Sequence, residues 1–116
     1  MTKIYYVYIL CNHRNGLLYI GFTNDIRKRT IEHKNGTYIN NYTKKYRIDK
    51  LVYYEEYFDK HEAAMREQRL KKWNRDWKIQ LIEKQNPKWN DLFGDLSKKL
   101  KGVEILDLLF PSNKPI

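Results

Sequence analysis

The stretch "IYYVYILCNHRNGLLYIGF", residues 4–22, decides the fold. Ile4 to Cys11 put aromatic and β-branched residues on both faces of an extended chain, the pattern of a buried or half-buried strand. Asn15-Gly16 is a turn signal, and Leu17 to Phe22 form the return strand of a hairpin. A loop of His13 to Gly16 pairs Asn12 with Leu17, Leu10 with Tyr19 and Tyr8 with Gly21. Tyr8 and Tyr19 then share one face as diagonal neighbours, roughly 7–8 Å apart at the backbone. Gly21 faces Tyr8 across the pair, where its missing side chain is expected to leave an open space.

Outward from the hairpin, "TNDIRKRTIEHK" reads as a helix ending near Lys34. Thr23 or Asn24 is its expected cap, Asp25 is favourable in its first turn, and Gly36 stops it. "TYINNYTKKYRIDK", residues 37–50, is expected as an irregular polar loop. Leu51 to Phe58 form a third strand. Asp59, with Glu62 three residues on, resembles a capping box that opens a helix from about Lys60 to Gln85. Ala63, Leu70, Trp73, Trp77 and Leu81 line one side of it, with a break near Asn74 because Ile79 falls off that stripe. Trp89, Leu92 and Phe93 are expected to anchor the following turn on the core. The predicted fold is an α+β domain, a small three-stranded antiparallel sheet flanked by helices, over residues 1–95. Residues 96–116 are expected as a loosely ordered tail with a short helix around Val103 to Leu109.

Composition narrows the function. Lys and Arg outnumber Asp and Glu by 23 to 14, for a net charge of +9, and ten residues are tyrosine. Cations gain energy from phosphates and aromatic rings from bases, so this balance fits a nucleic-acid partner; a solvated basic face is the plainer alternative. Cys11 is the one cysteine, which excludes a disulfide within the chain and a cysteine-built zinc site. No apolar run approaches the roughly 20 residues of a membrane span, and there is no signal-peptide pattern. A reducing, cytoplasmic setting is expected.

The side chains that carry chemistry sit at suggestive intervals. Arg29 and His33 lie four apart on one helix face and can touch the same small object. Arg offers a permanent fork for phosphate, and His moves a proton near neutral pH. Glu67 falls at the margin of the stripe that faces the sheet, where an unpaired carboxylate is costly. It suits either an ion pair or a single ligand for a hydrated Mg²⁺. Tyr8 and Tyr19 are core packing, or phenols that cations nearby bring towards useful acidity. Together these groups suggest metal-assisted hydrolysis of a phosphodiester.

"YVY" at Tyr6–Tyr8, followed by "YIG" at Tyr19–Gly21, resembles the paired motifs of the GIY-YIG nuclease superfamily. Arg29 ten positions after Tyr19, His33 fourteen after it, and Glu67 on the following long helix continue the match, which runs from about Ile4 to Leu92. The likeness is to small stand-alone members. It implies that one of Tyr8 and Tyr19 activates water while the other orients it or the phosphate, and that Gly21 permits close approach. Arg29 would stabilise the transferring phosphate, His33 would assist proton movement, and Glu67 would hold Mg²⁺ or Mn²⁺. The resemblance also calls for an asparagine, with Asn86 the candidate and Asn74 the second choice. Tyr6 stands where the motif has glycine, adding bulk beside the site.

Basic residues concentrate in Arg27 to Lys50 and Arg66 to Lys78. Arg27, Lys28, Lys44, Lys45, Arg47 and Lys71 are the expected DNA-binding cations, with Tyr42 and Tyr46 able to stack on exposed bases. The expected activity is that of a metal-dependent DNA endonuclease, selective for branched, nicked or flapped structures and linked to repair or processing. The alternatives are a weak or inactive nucleic-acid-binding module of the same fold, and a protein-interaction domain.

Overall fold

The protein was analysed as a computed structural model that describes residues 3–38 and 40–100. Three strands, β1 (Tyr5–Cys11), β2 (Leu18–Thr23) and β3 (Lys50–Tyr57), form one antiparallel sheet in the order β2-β1-β3. Four helices accompany it: α1 (Ile26–Asn35), α2 (Asn41–Tyr46), α3 (Lys60–Lys72) and α4 (Arg75–Gln85). Among the described residues no helix is long and apolar enough to cross a membrane.

The hairpin has the register its sequence predicts, with Tyr8 opposite Gly21 and Leu10 opposite Tyr19. Its loop is fastened from within and without. The Asn12 Oδ1 accepts hydrogen bonds from the amides of His13 and Leu17, both at 2.9 Å. The Arg75 guanidinium, at the start of α4, donates to the carbonyls of Asn15 and Gly16.

Side chains of a strand alternate between faces, and β1 uses both of its faces as core. Val7, Ile9 and Cys11 are buried with Ala63 and Leu70 of α3 and Ile82 of α4. Tyr6, Tyr8 and Leu10 are buried with Ile26 of α1, Ile48, Leu51 and Leu96. The sheet is therefore the middle layer of three, with the longer helices on one side and α1 with the C-terminal segment on the other.

Helix starts follow capping chemistry, with one shift from expectation. Asp25 is itself the cap of α1, its Oδ1 accepting from the Lys28 amide at 3.0 Å. Asp59 caps α3 by accepting from His61, and Asn74 breaks the long helix as expected by capping α4. Beyond that break the helix turns a different side inward: Ile82 is buried, whereas Trp77 is 54% exposed. The polar stretch expected as a loop contains α2. The Asn40 side chain accepts from the Thr43 amide at 3.0 Å, and Thr43 is buried.

The boundary expected at residue 95 falls inside a helix spanning residues 93–100. Leu96 is 2% exposed there and belongs to the Tyr8 layer. Lys34 of α1 pins this region by a 2.6 Å ion pair to Asp91, and Asp91 also accepts from the Leu51 and Phe93 amides. The segment is part of the domain for as far as it is described; the helix expected around Val103 lies outside the described residues. Tyr6, in turn, is core: it is buried and packs edge-on against Tyr54, with ring centroids 6.0 Å apart.

Candidate active site

Four of the side chains singled out from sequence meet on the Tyr8 face of the sheet. β1 supplies Tyr8 and β2 supplies Tyr19, their ring centroids 6.3 Å apart. One turn of α1 separates Arg29 from His33, so both reach the hairpin from the same helix face. His33 Nε2 lies 3.4 Å from the Tyr8 hydroxyl, and its ring is 5.3 Å from that of Tyr19. The Arg29 charge also acts on the Tyr8 phenol.

Gly21 does not leave an open space over Tyr8. A Cβ at position 21 would stand 2.6 Å from the Tyr8 hydroxyl oxygen and 3.1 Å from Tyr19 Cε2. The missing side chain instead lets the two phenols close over the backbone. Tyr8 is thereby sealed at 1% exposure and His33 at 7%, while Tyr19 and Arg29 keep contact with solvent.

Burial sets the protonation of the cluster. It raises the Tyr8 phenol well above its ordinary value, against the smaller opposing pull of Arg29. Burial and then a hydrogen-bonding interaction with Tyr38 raise Tyr19. His33 moves the other way, down to about 4, because burial and the neighbouring Arg29 charge disfavour the imidazolium. At neutral pH the two phenols and the imidazole are all uncharged, and Arg29 is the cation among them. His33 Nδ1 is buried with no hydrogen-bond partner.

Glu67 approaches from the other layer. It lies on α3, its side chain is 13% exposed, and Lys71 Nζ is 3.5 Å from its Oε1. Its charge is felt at Tyr19, on β2, the strand at the sheet edge. Lys71, an expected DNA contact, is thus engaged with the expected metal carboxylate. Glu67 also contrasts with Glu55, the other half-buried acid of this region. Glu55 accepts from Arg66 at 2.9 and 2.8 Å and from the hydroxyls of Tyr53 and Tyr57. Burial alone would raise the Glu55 carboxyl, but those hydrogen bonds hold it below its ordinary value. Its lone pairs are occupied by the protein.

Neither asparagine candidate joins the cluster. The Asn86 amide donates to the carbonyls of Val52 and Asn90 at 3.0 and 2.9 Å, and its Oδ1 accepts from the Asn90 amide. It ties the end of α4 to β3 and the chain beyond. Asn74 is the cap of α4. The structure instead adds Tyr38, which sequence reasoning left in the polar loop. Its ring centroid is 4.5 Å from that of His33, and Arg29 Cζ lies 4.5 Å above the same ring. The available signal was its place two residues after the helix-stopping Gly36, where the chain doubles back.

Most of the remaining expected DNA contacts are open to solvent. Lys28 is exposed on α1, and Lys44, Lys45 and Arg47 are exposed on α2 and at its end. Tyr42 and Tyr46 are 40% and 43% exposed, and the Tyr42 hydroxyl donates to the Leu18 carbonyl, one residue before Tyr19. A polar pocket of about 170 Å³ opens between Thr23, Asp25, Lys28, Arg29 and Glu32. Arg27, by contrast, is only half exposed.

Comparison with known proteins places the chain. The family model described as the GIY-YIG catalytic domain matches residues 4–80. A UPF0213 protein of Syntrophus aciditrophicus is 46% identical over 83 residues, covering 71% of this chain and 92% of the relative. One of Staphylococcus epidermidis is 41% identical over 80 residues, covering 68% and 94%. Among solved structures, the solution NMR structure of a UPF0213 protein from Bacillus halodurans is 30% identical, with a TM-score of 0.48, and covers 76% of this chain and 92% of that one.

Proposed function

The chain belongs to the GIY-YIG catalytic domain family, and on that premise we propose that it is a metal-dependent DNA endonuclease. It would hydrolyse phosphodiester bonds, choose DNA by structure more than by sequence, and serve repair or processing. The supporting observation is the convergence of Tyr8, Tyr19, Arg29 and His33 on one face, with the Glu67 charge felt at Tyr19.

Hydrolysis requires that water lose a proton, that charge on phosphorus be balanced, and that a leaving oxygen be released. Tyr19 is the phenol that reaches solvent, so it is placed to meet the water or the phosphate. Arg29 balances charge on the phosphate oxygens. The neutral His33 ring, against the Tyr8 hydroxyl, offers a nitrogen lone pair that orients the water and passes its proton on, but it does not keep that proton at neutral pH. One proton leaves the attacking water and is relayed through the phenol–imidazole group to solvent as the water oxygen bonds to phosphorus. The bond from phosphorus to the leaving oxygen breaks, and that oxygen takes a proton from solvent.

Glu67 suits Mg²⁺ or Mn²⁺. It is a mostly buried carboxylate facing one lysine across 3.5 Å, and Mg²⁺ is commonly held by one or two carboxylates, with waters and phosphate oxygens completing the shell. Among the described residues no group of three or more His, Cys, Asp and Glu is gathered for a metal, so water and substrate would supply the remaining ligands. Bound there, the ion would stabilise charge developing on the phosphate. The exposed cations of α1 and α2 would hold DNA electrostatically, with strong dependence on salt.

The burial of Tyr8 favours a second reading, a DNA-binding module of this fold without useful activity. One experiment separates the two: cleavage of linear, nicked, flap and four-way DNA with and without Mg²⁺, by the wild type and Glu67→Ala. The endonuclease cuts with Mg²⁺, and Glu67→Ala loses cutting while retarding DNA as before. Retardation without cleavage by the wild type would leave the binding module; cutting by Glu67→Ala at the wild-type rate would remove Glu67 from the chemistry.

A further inference from the structure

Tyr38 is built into the cluster by a turn of some elaboration. Gly36 ends α1 with φ 70°, the left-handed conformation that glycine adopts without penalty. The chain then reverses so that the amides of Thr37 and Tyr38 both donate to the Glu32 carbonyl, at 2.9 and 3.2 Å. The Asn40 amide closes the segment by donating to the Tyr38 carbonyl at 2.8 Å. This reversal lays the Tyr38 ring back along α1, over His33 and Arg29.

Three contacts result. The His33 and Tyr38 rings are 4.5 Å apart at 48°, Arg29 Cζ is 4.5 Å from the Tyr38 centroid, and Tyr38 interacts with the Tyr19 hydroxyl. A guanidinium within about 6 Å of a ring centroid is attracted to the face of the ring. Arg29 is thus gripped from two directions, by Tyr38 and by Glu32, whose Oε1 accepts from Arg29 Nε at 3.2 Å. A long arginine otherwise samples many rotamers, and fixing it beforehand lowers what a phosphate must order on arrival.

We propose that Tyr38 is a positioning residue of this site: its ring holds the Arg29 guanidinium and the His33 imidazole in the arrangement that the reaction needs. It acts through those two groups and does not itself touch the phosphate. The proposal rests on the nuclease reading for its consequence, but the geometric role stands on the contacts alone.

The test uses the full chain and two readouts. In the first, the His33 ring is titrated by NMR without DNA. Tyr8 from β1, Tyr19 from β2, Arg29 and Glu32 from α1, and Tyr38 are the titratable and charged groups around it. Tyr38→Ala opens one wall and is expected to raise the His33 midpoint by about one pH unit or more towards the ordinary value, whereas Tyr38→Phe keeps it near the wild type. In the second, cleavage of flap DNA with Mg²⁺ is followed. Tyr38→Ala is expected to lower kcat about tenfold or more with KM little changed, and Tyr38→Phe to restore the rate to within about threefold. If Tyr38→Ala does not fold, Tyr38→Leu, which keeps bulk but not the ring, takes its place. An unchanged His33 midpoint together with unchanged kcat in the ring-less variant would overturn the proposal. If the wild type cuts no DNA, the nuclease reading fails, and the titration decides the positioning role alone.

Discussion

The Tyr8 hydroxyl and His33 Nε2 meet 3.4 Å apart in a site where both groups are uncharged at neutral pH. This makes stability a function of acidity. Unfolded, His33 takes a proton below about 6.5; folded, it stays neutral until about 4. Between those values the unfolded chain binds more protons, so the folded state weakens as pH falls through this window. The contribution is complete above 6.5 and amounts to roughly 3 kcal/mol at most over the whole interval. Urea unfolding at pH 7.5 and 5 should show a smaller acid loss in His33→Gln than in the wild type. Equal losses would mean that His33 is not held neutral.

Gly21 lies beneath the tips of both phenols, so Gly21→Ala should act on the site more than on the fold. The added methyl would meet the Tyr8 hydroxyl at 2.6 Å and its Cζ at 2.7 Å, and Tyr8 is fully buried with little room to yield. A stability cost of about 1–3 kcal/mol is expected from such overpacking. At temperatures where the variant remains folded, cleavage should still fall by about 10²-fold, since small misplacements of reacting groups are costly. A fully active Gly21→Ala would show that the two phenols need not close over position 21.

The two half-buried acids should separate cleanly. Glu55→Gln breaks the network with Arg66, Tyr53 and Tyr57, and leaving Arg66 unpaired is expected to cost about 3 kcal/mol. Mg²⁺-dependent cutting per folded molecule should survive. Glu67→Gln should do the reverse, with a melting temperature near the wild type and cutting lost. Calorimetry beside a cleavage assay checks both.

Asn86→Ala is expected to destabilise the protein by about 1–3 kcal/mol, because the Val52 and Asn90 backbone groups lose their partner. The rate of the folded fraction should not change. A folded but inactive Asn86→Ala would return this asparagine to the site.

Leu96→Ala should lower stability by about 2–4 kcal/mol, the range for emptying a buried leucine position. A chain ending at residue 95 should melt below the full-length protein. If both were neutral, the 93–100 helix would not contribute to the Tyr8 layer.

Much of the fold was legible because it depends on local chemistry. The alternation of Tyr6, Val7, Tyr8 and Ile9 and the four-residue loop together determine the hairpin register. The break near Asn74 was legible because Ile79 falls off the apolar stripe, and in the structure the Asn74 side chain caps α4 at that point. What escaped depends on the chain folding back on itself. Tyr38 joins the site through the reversal at Gly36, which no periodicity records. α2 is six residues long, too short for a helical pattern to emerge among polar residues. Leu96 and Leu100 sit in the polar stretch "DLSKKLK" and resemble a solvated tail until they are seen to join the cluster that holds Tyr6 and Tyr54. Asn86 had the right residue type, but its hydrogen-bond capacity is taken up by the backbone around it.

The hairpin loop, fastened by Asn12 and Arg75, works as the zero mark of a ruler. Tyr19 and Gly21 face Tyr8 only because a fixed number of residues separates them from Cys11. Inserting one residue between His13 and Gly16 would send Tyr19 towards the α3 layer and swing Leu18 or Ile20 into its place. That loop, though polar, exposed and outside the cluster, is therefore a poor place for an epitope tag or a graft.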